Sequence, residues 1–164
     1  MSVMKNHKTS NPDLHNKAIK VCLYPDNEQI ILFSKTFGCC RKIWNLMLAD
    51  KNEHYKIHKK ILNVTPALYK SEYPYLKEVD SLALANVQLN LNEAFRNFFN
   101  NRKHFDKPKF KSKKTDKKKY TTNLVNNNID VGDNFIKIPK IGVVKAKIHR
   151  KPLENWVLKS ITVS

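Results

Sequence analysis

One strand-like segment near the start of the chain constrains the fold more than any other feature. From Ala18 to Leu23 the apolar residues Ile19, Val21 and Leu23 alternate with Ala18, Lys20 and Cys22, the period of a strand with one buried face. Tyr24-Pro25-Asp26 ends it, and that period does not return until Tyr120. An isolated strand is not stable, so this one must pair with strands near the other end of the chain. The chain therefore leaves a small sheet after its first strand, builds something else, and comes back.

What it builds first is helical. Asp26 can cap a helix, with Gln29 three residues on completing a capping box and Ile30, Ile31, Phe33 and Phe37 as its buried stripe. Gly38 is expected to close that helix. Cys40, Ile43, Trp44, Met47 and Leu48 then recur at helical spacing, which predicts a helical hairpin or helix-turn-helix. Thr65-Pro66 predicts a short helix from Ala67 to about Ser71. Asp80 or Ser81 begins the longest helix, with Leu84, Val87, Leu91 and Phe98 on one face and Asn86, Asn90, Glu93 and Asn97 on a wet one.

Beyond Asn101 the character changes twice. Lys103 to Lys119 holds nine lysines against two aspartates, with Phe105 and Phe110 interleaved, and reads as a loop until an anion orders it. After Tyr120 come short runs of period two, at Tyr120–Val125, Asn128–Val131, Phe135–Ile138, Val143–Ile148 and Val157–Val163, separated by Asn-rich and Gly-containing turns. The fold class is α+β, a small β-barrel interrupted after its first strand by an inserted helical bundle. Residues 1–16 read as a mobile extension, 17–25 with 104–164 as the barrel, and 26–103 as the helical domain.

With 31 Lys+Arg against 14 Asp+Glu and a formal charge of +17, the chain is built to meet a polyanion, and nucleic acid is the expected partner class. No apolar run near the length of a membrane span and no signal peptide occurs, which points to no membrane partner and a cytoplasmic location. Cys22, Cys39 and Cys40 cannot form an even disulfide framework, and no Cys-x-x-Cys occurs. His54 and His58 are four apart but lack a third ligand, so no metal site and no cofactor are expected. A metal-dependent nuclease needs converging carboxylates, whereas Asp26, Asp80 and Asp133 sit where helix starts and turns want them. No catalytic residue is assigned.

Six pieces, in order, carry a resemblance: Leu23-Tyr24-Pro25 with Gln29; Thr36-Phe37-Gly38-Cys39-Cys40-Arg41 with Trp44-Asn45; Leu76-Lys77-Glu78-Val79-Asp80; Asn97-Phe98-Phe99; Pro108-Lys109-Phe110-Lys111; and Ile138-Pro139-Lys140-Ile141-Gly142. Together they resemble the N-terminal half of TnpB, the transposon-encoded RNA-guided DNA endonucleases. The resemblance implies a wedge domain for the barrel and a recognition domain for the helical insertion. It implies a guide RNA from the transposon end and target duplex DNA as partners. It also implies that the nuclease domain would begin about where this sequence stops, so that the chain binds without cutting. By resemblance, the DNA motif beside the target is read by Ser81, Leu82 and Ala85 at the start of the long helix and by Val125 and Asn126 on the following strand. The lysines Lys109, Lys111, Lys113, Lys114, Lys117, Lys118 and Lys119 would face the nucleic-acid backbone. Where the family usually has Gly-Phe-Pro, this chain has Phe105-Asp106-Lys107-Pro108, which alters the entry to the barrel. The competing classes are a stand-alone helix-turn-helix regulator using residues 26–55 and a basic RNA-binding protein of ribosomal type.

Overall fold

The computed structural model describes residues 16–150 and 156–164, so nearly all of the extension read over 1–16 lies outside the described residues. The chain divides into two compact units. One draws on the ranges Met1–Ser34 and Lys119–Ser164, and the other is Lys35–Lys118.

In the first unit, β1 (Cys22–Tyr24) pairs antiparallel with β5 (Gly142–Lys147), in the register Cys22↔Lys147, Leu23↔Ala146, Tyr24↔Lys145. The isolated strand thus finds its partner near the far end of the chain. It is shorter than its alternating pattern, but the alternation holds, with Val21 buried, Leu23 half-buried and Cys22 and Tyr24 exposed. β5 also pairs with β4 (Phe135–Ile138), and β4 with β3 (Asp130–Val131), giving the order β1-β5-β4-β3. β2 (Tyr120–Asn123) and β6 (Ser160–Val163) form a separate antiparallel pair. The hydrogen bonding therefore makes two small antiparallel sheets and not the closed barrel expected from strand spacing. Strands of two to six residues are short, and β2 and β3 carry different partners, so the ladder does not run around. Ile136, Ile138, Val144, Ile161 and Val163 are buried on these strands.

α1 (Asn27–His58) opens in the first unit with the expected capping box. Asp26 Oδ1 accepts from Gln29 N at 2.8 Å, and Gln29 Oε1 accepts from Asp26 N at 3.2 Å. The Gln29 side chain has a second task that its spacing did not announce, because Nε2 donates to Val143 O at 2.8 Å and ties the helix start to β5. Phe33 is buried and stands near Tyr120, with ring centroids 6.5 Å apart. Ile30 and Ile31, expected in the buried stripe, are instead 48% and 66% exposed.

In the second unit α1 continues without a break at Gly38, so the expected two helices are one. A single glycine costs a helix only about 1 kcal/mol relative to alanine. The apolar stripe on its C-terminal side outweighs that, with Cys40, Ile43, Met47 and Leu48 all buried. Two 3₁₀ turns follow, Pro66–Tyr69 and Pro74–Lys77, each opened by its proline; Thr65 makes no side-chain cap bond to the first. α2 (Ser81–Asn100) is capped by Asp80, whose Oδ1 accepts from Leu82 N at 3.0 Å. Leu84 and Leu91 are buried as expected, but so is Asn86, placed on the wet face from sequence. Its Nδ2 donates to Leu82 O at 3.0 Å, one turn back, which lets an amide sit in the interior.

The β3–β4 turn depends on a glycine for want of space. A Cβ at Gly132 would lie 2.2 Å from the Phe135 ring. Gly132→Ala should lower stability by about 1–3 kcal/mol, read from the midpoint of urea denaturation. An unchanged midpoint would mean that the ring swings aside freely.

Candidate nucleic-acid interface

The basic segment is not the free loop its composition suggests. The second helical stretch of α1 presents Trp44 and Asn45 side by side, and both reach its backbone. Trp44 Nε1 donates to Lys109 O at 3.0 Å. Asn45 makes a reciprocal pair with Lys111: Nδ2 donates to Lys111 O at 2.9 Å and Oδ1 accepts from Lys111 N at 2.8 Å. An asparagine amide matched to one peptide in this way fixes both its position and its direction.

Lys111 is spent internally. Its ammonium lies 4.5 Å from the centre of the Trp44 ring and 3.3 Å from Asp116 Oδ1. Asp116 is itself set by a small turn, in which its N–H donates to Ser112 O at 3.0 Å and Ser112 Oγ accepts from Thr115 N at 3.1 Å. Lys109 makes an exposed pair with Asp106 at 2.8 Å, which draws the Asp106 carboxyl below its usual range. Lys113, Lys114, Lys117, Lys118 and Lys119 are exposed. Of the seven lysines named from sequence, six are thus exposed, and five of these have no ion pair among the described residues and stand in solvent on or next to a chain path that the protein has already ordered. The sequence reading missed Trp44 and Asn45 as the residues that order it. The signal was present, since both pairs of residues occur in the recognised pieces, but spacing alone does not say that the pieces touch.

The start of α2 carries the second candidate group. Ser81 is exposed and its Oγ accepts from Lys70 Nζ at 3.0 Å, while Leu82 and Ala85 are half-buried. Asp80 is 7% exposed, and its Oδ2 is buried with no hydrogen-bond partner among the described residues. Behind it, burial pushes the Cys40 thiol up to about 12, so this cysteine is a core residue rather than a nucleophile. Lys42 lies over the Tyr73 ring at 4.4 Å.

Val125 and Asn126, in the first unit, lie on a turn and not on a strand, because β2 ends at Asn123. Asn126 and Asn127 both have positive φ (50° and 56°), and Asn128 N donates to Val125 O at 3.1 Å, the pattern of a type I′ turn. Asn128 is committed to that turn, since Oδ1 accepts from Val125 N at 2.8 Å and Nδ2 donates to Asn123 O at 3.1 Å. Val125, Asn126 and Asn127 are exposed at its tip.

His54 and His58 share a face, with ring centroids 4.5 Å apart, and His54 Nδ1 donates to Lys60 O at 3.0 Å. Among the described residues no group of three or more His, Cys, Asp or Glu could hold a metal ion, and no helix is long and apolar enough to cross a membrane.

Residues 15–60 match the OrfB/IS605 family model described as a helix-turn-helix domain. Over 111 residues the chain is 34% identical to the virulence protein VsdF of Salmonella dublin, covering 59% of this chain and 93% of that protein. It is 31% identical over 105 residues to a Streptomyces pristinaespiralis protein named as a candidate RNA-guided DNA endonuclease, covering 60% of this chain and 26% of that one. InsQ of Escherichia coli K12, named likewise, is 28% identical over 156 residues, 90% of this chain and 37% of InsQ. The chain thus spans about a quarter and just over a third of those two relatives.

Asn45→Ala removes both bonds to Lys111. It should make residues 109–119 markedly more sensitive to trypsin and cost about 1–3 kcal/mol of stability, with helix content by circular dichroism unchanged. Unaltered cleavage kinetics would show that the segment is held by something else.

Proposed function

Because the chain belongs to the TnpB family of transposon proteins, we propose that it is the nucleic-acid-binding part of such a protein, holding a guide RNA and the duplex DNA beside its target. The observation that carries this reading is the set of exposed lysines from Lys113 to Lys119, displayed next to a backbone that Trp44 and Asn45 hold. Five ammonium groups on an ordered path neutralise phosphates without first losing the entropy of ordering that path. In this reading the strand-bearing unit is the wedge part and the helical unit the recognition part. Ser81, Leu82, Ala85, Val125 and Asn126 read the motif beside the target. Binding, not cleavage, is the activity assigned to these residues.

A regulator that reads bases with α1 is the second reading, favoured by the description of the matched model as a helix-turn-helix domain. Against it stands the use of the relevant side chains. Asn45 is bonded to Lys111 and Lys42 covers Tyr73, and a recognition helix needs such residues free for base edges.

Replacing Lys113, Lys114, Lys117, Lys118 and Lys119 by glutamine should weaken RNA binding and reduce the log–log salt slope by about 0.7–0.9 for each lysine removed. An unchanged slope would mean that these lysines do not meet phosphates. Lys111 is left out of this set because it is engaged with Trp44 and Asp116.

Ser81→Ala and Asn126→Ala should shift the preferred DNA sequence in a selection experiment, each lost base contact being worth about 1–3 kcal/mol. Arg41→Ala should weaken binding and leave the preference as it was. A preference that follows Arg41 and ignores Ser81 and Asn126 would favour the regulator.

A further inference from the structure

The C-terminal end of α2 carries more aromatic surface than its own packing uses. Phe95 and Phe99 are stacked with centroids 6.2 Å apart and planes 20° from parallel, and Phe98 stands 5.3 Å from Phe99. The Arg102 guanidinium lies over both outer rings, 5.3 Å from the centre of Phe98 and 5.7 Å from that of Phe99. No acidic side chain pairs with Arg102 among the described residues. The chain then turns at once: Asn101 O accepts from Phe105 N at 3.0 Å and from His104 N at 3.2 Å. Arg102, Lys103, His104 and Phe105 follow in sequence, all exposed, with Phe99 still 37% and Phe105 47% open to solvent.

Exposed phenyl rings beside an unpaired guanidinium cost solubility unless something covers them. A guanidinium lying on phenyl faces keeps its other planar face open, and that face takes a planar aromatic group. The neighbouring cations ask for a partner that also carries negative charge. We infer that the Phe98, Phe99 and Arg102 cluster, with Phe105 exposed on the turn that follows it, is a stacking platform for unpaired bases of a bound RNA, with Lys103 on the adjacent phosphates. Duplex DNA keeps its bases stacked on one another and cannot use such a platform, whereas a single strand can. The platform rests on the nucleic-acid-binding reading above but uses residues other than the lysines Lys109 to Lys119 and the motif-reading groups.

The test uses fluorescence anisotropy on the full chain, with a mixed-sequence 12-nucleotide single-stranded RNA and a blunt 20-base-pair duplex DNA as probes. Two variants are compared with the wild type: the double variant Phe99→Leu with Phe105→Leu, and Arg102→Lys, which keeps the charge and removes the planar face. Both should lose about tenfold or more in affinity for the RNA, keep their affinity for the duplex, and leave the salt slope on RNA unchanged, since no phosphate contact is removed. RNA affinity unchanged in Arg102→Lys and in a double variant with wild-type thermal stability overturns the platform while leaving the binding function standing. Equal losses on both probes also overturn it, since they mark a general effect. A wild type that binds neither probe at low salt would sink the binding function itself.

Discussion

The constraint on which the strand-bearing unit depends is the pairing of β1 with β5. A three-residue strand has little stability of its own, and its one partner strand among the described residues, β5, comes after the chain has passed through the whole helical unit. Gln29 reinforces that closure from the first turn of α1, since one side chain both completes the capping box and reaches Val143 O on β5. The strand before the long excursion and the helix turn that opens it are thereby fixed to the same strand. A loop this long adds only slowly growing closure entropy, so short pairing plus one well-placed glutamine can hold it.

The same logic governs the basic segment. With a formal charge of +17, like-charge repulsion should drive Lys103 to Lys119 away from any defined path. The protein counters it with directional bonds to the backbone, from Trp44 and Asn45, and not with bulk apolar burial, since Phe105 and Phe110 both remain exposed. It also removes one lysine from the repulsive set by placing Lys111 between Trp44 and Asp116. What is left is an ordered path with its remaining charge outward, which reduces the ordering that binding must supply.

Much of the fold was legible because it follows local rules. The Asp26–Gln29 box, the Asp80 cap and most strand positions came from spacing and turn residues. The misses were decided by packing or by hydrogen bonds that spacing alone does not show. Gly38 looked like a stop because helix ends favour glycine, but the buried stripe past it kept the helix going. Asn86 looked wet by residue type, and its bond to Leu82 O let it go inside. The triple asparagine did turn chemistry first, with Asn128 consumed and Asn126 and Asn127 left at the tip. At the candidate interface the lysines were visible as charge, while the residues holding them lay over sixty positions away and could be joined to them only in three dimensions.

The most direct test of the account is ultraviolet cross-linking of the chain to bound RNA and duplex DNA, with the modified peptides identified by mass spectrometry. Adducts are expected in peptides spanning residues 103–128, at the lysine segment and the asparagine turn, and at the start of α2. Adducts confined to α1 between Asn27 and His58, with none on those peptides, would contradict it.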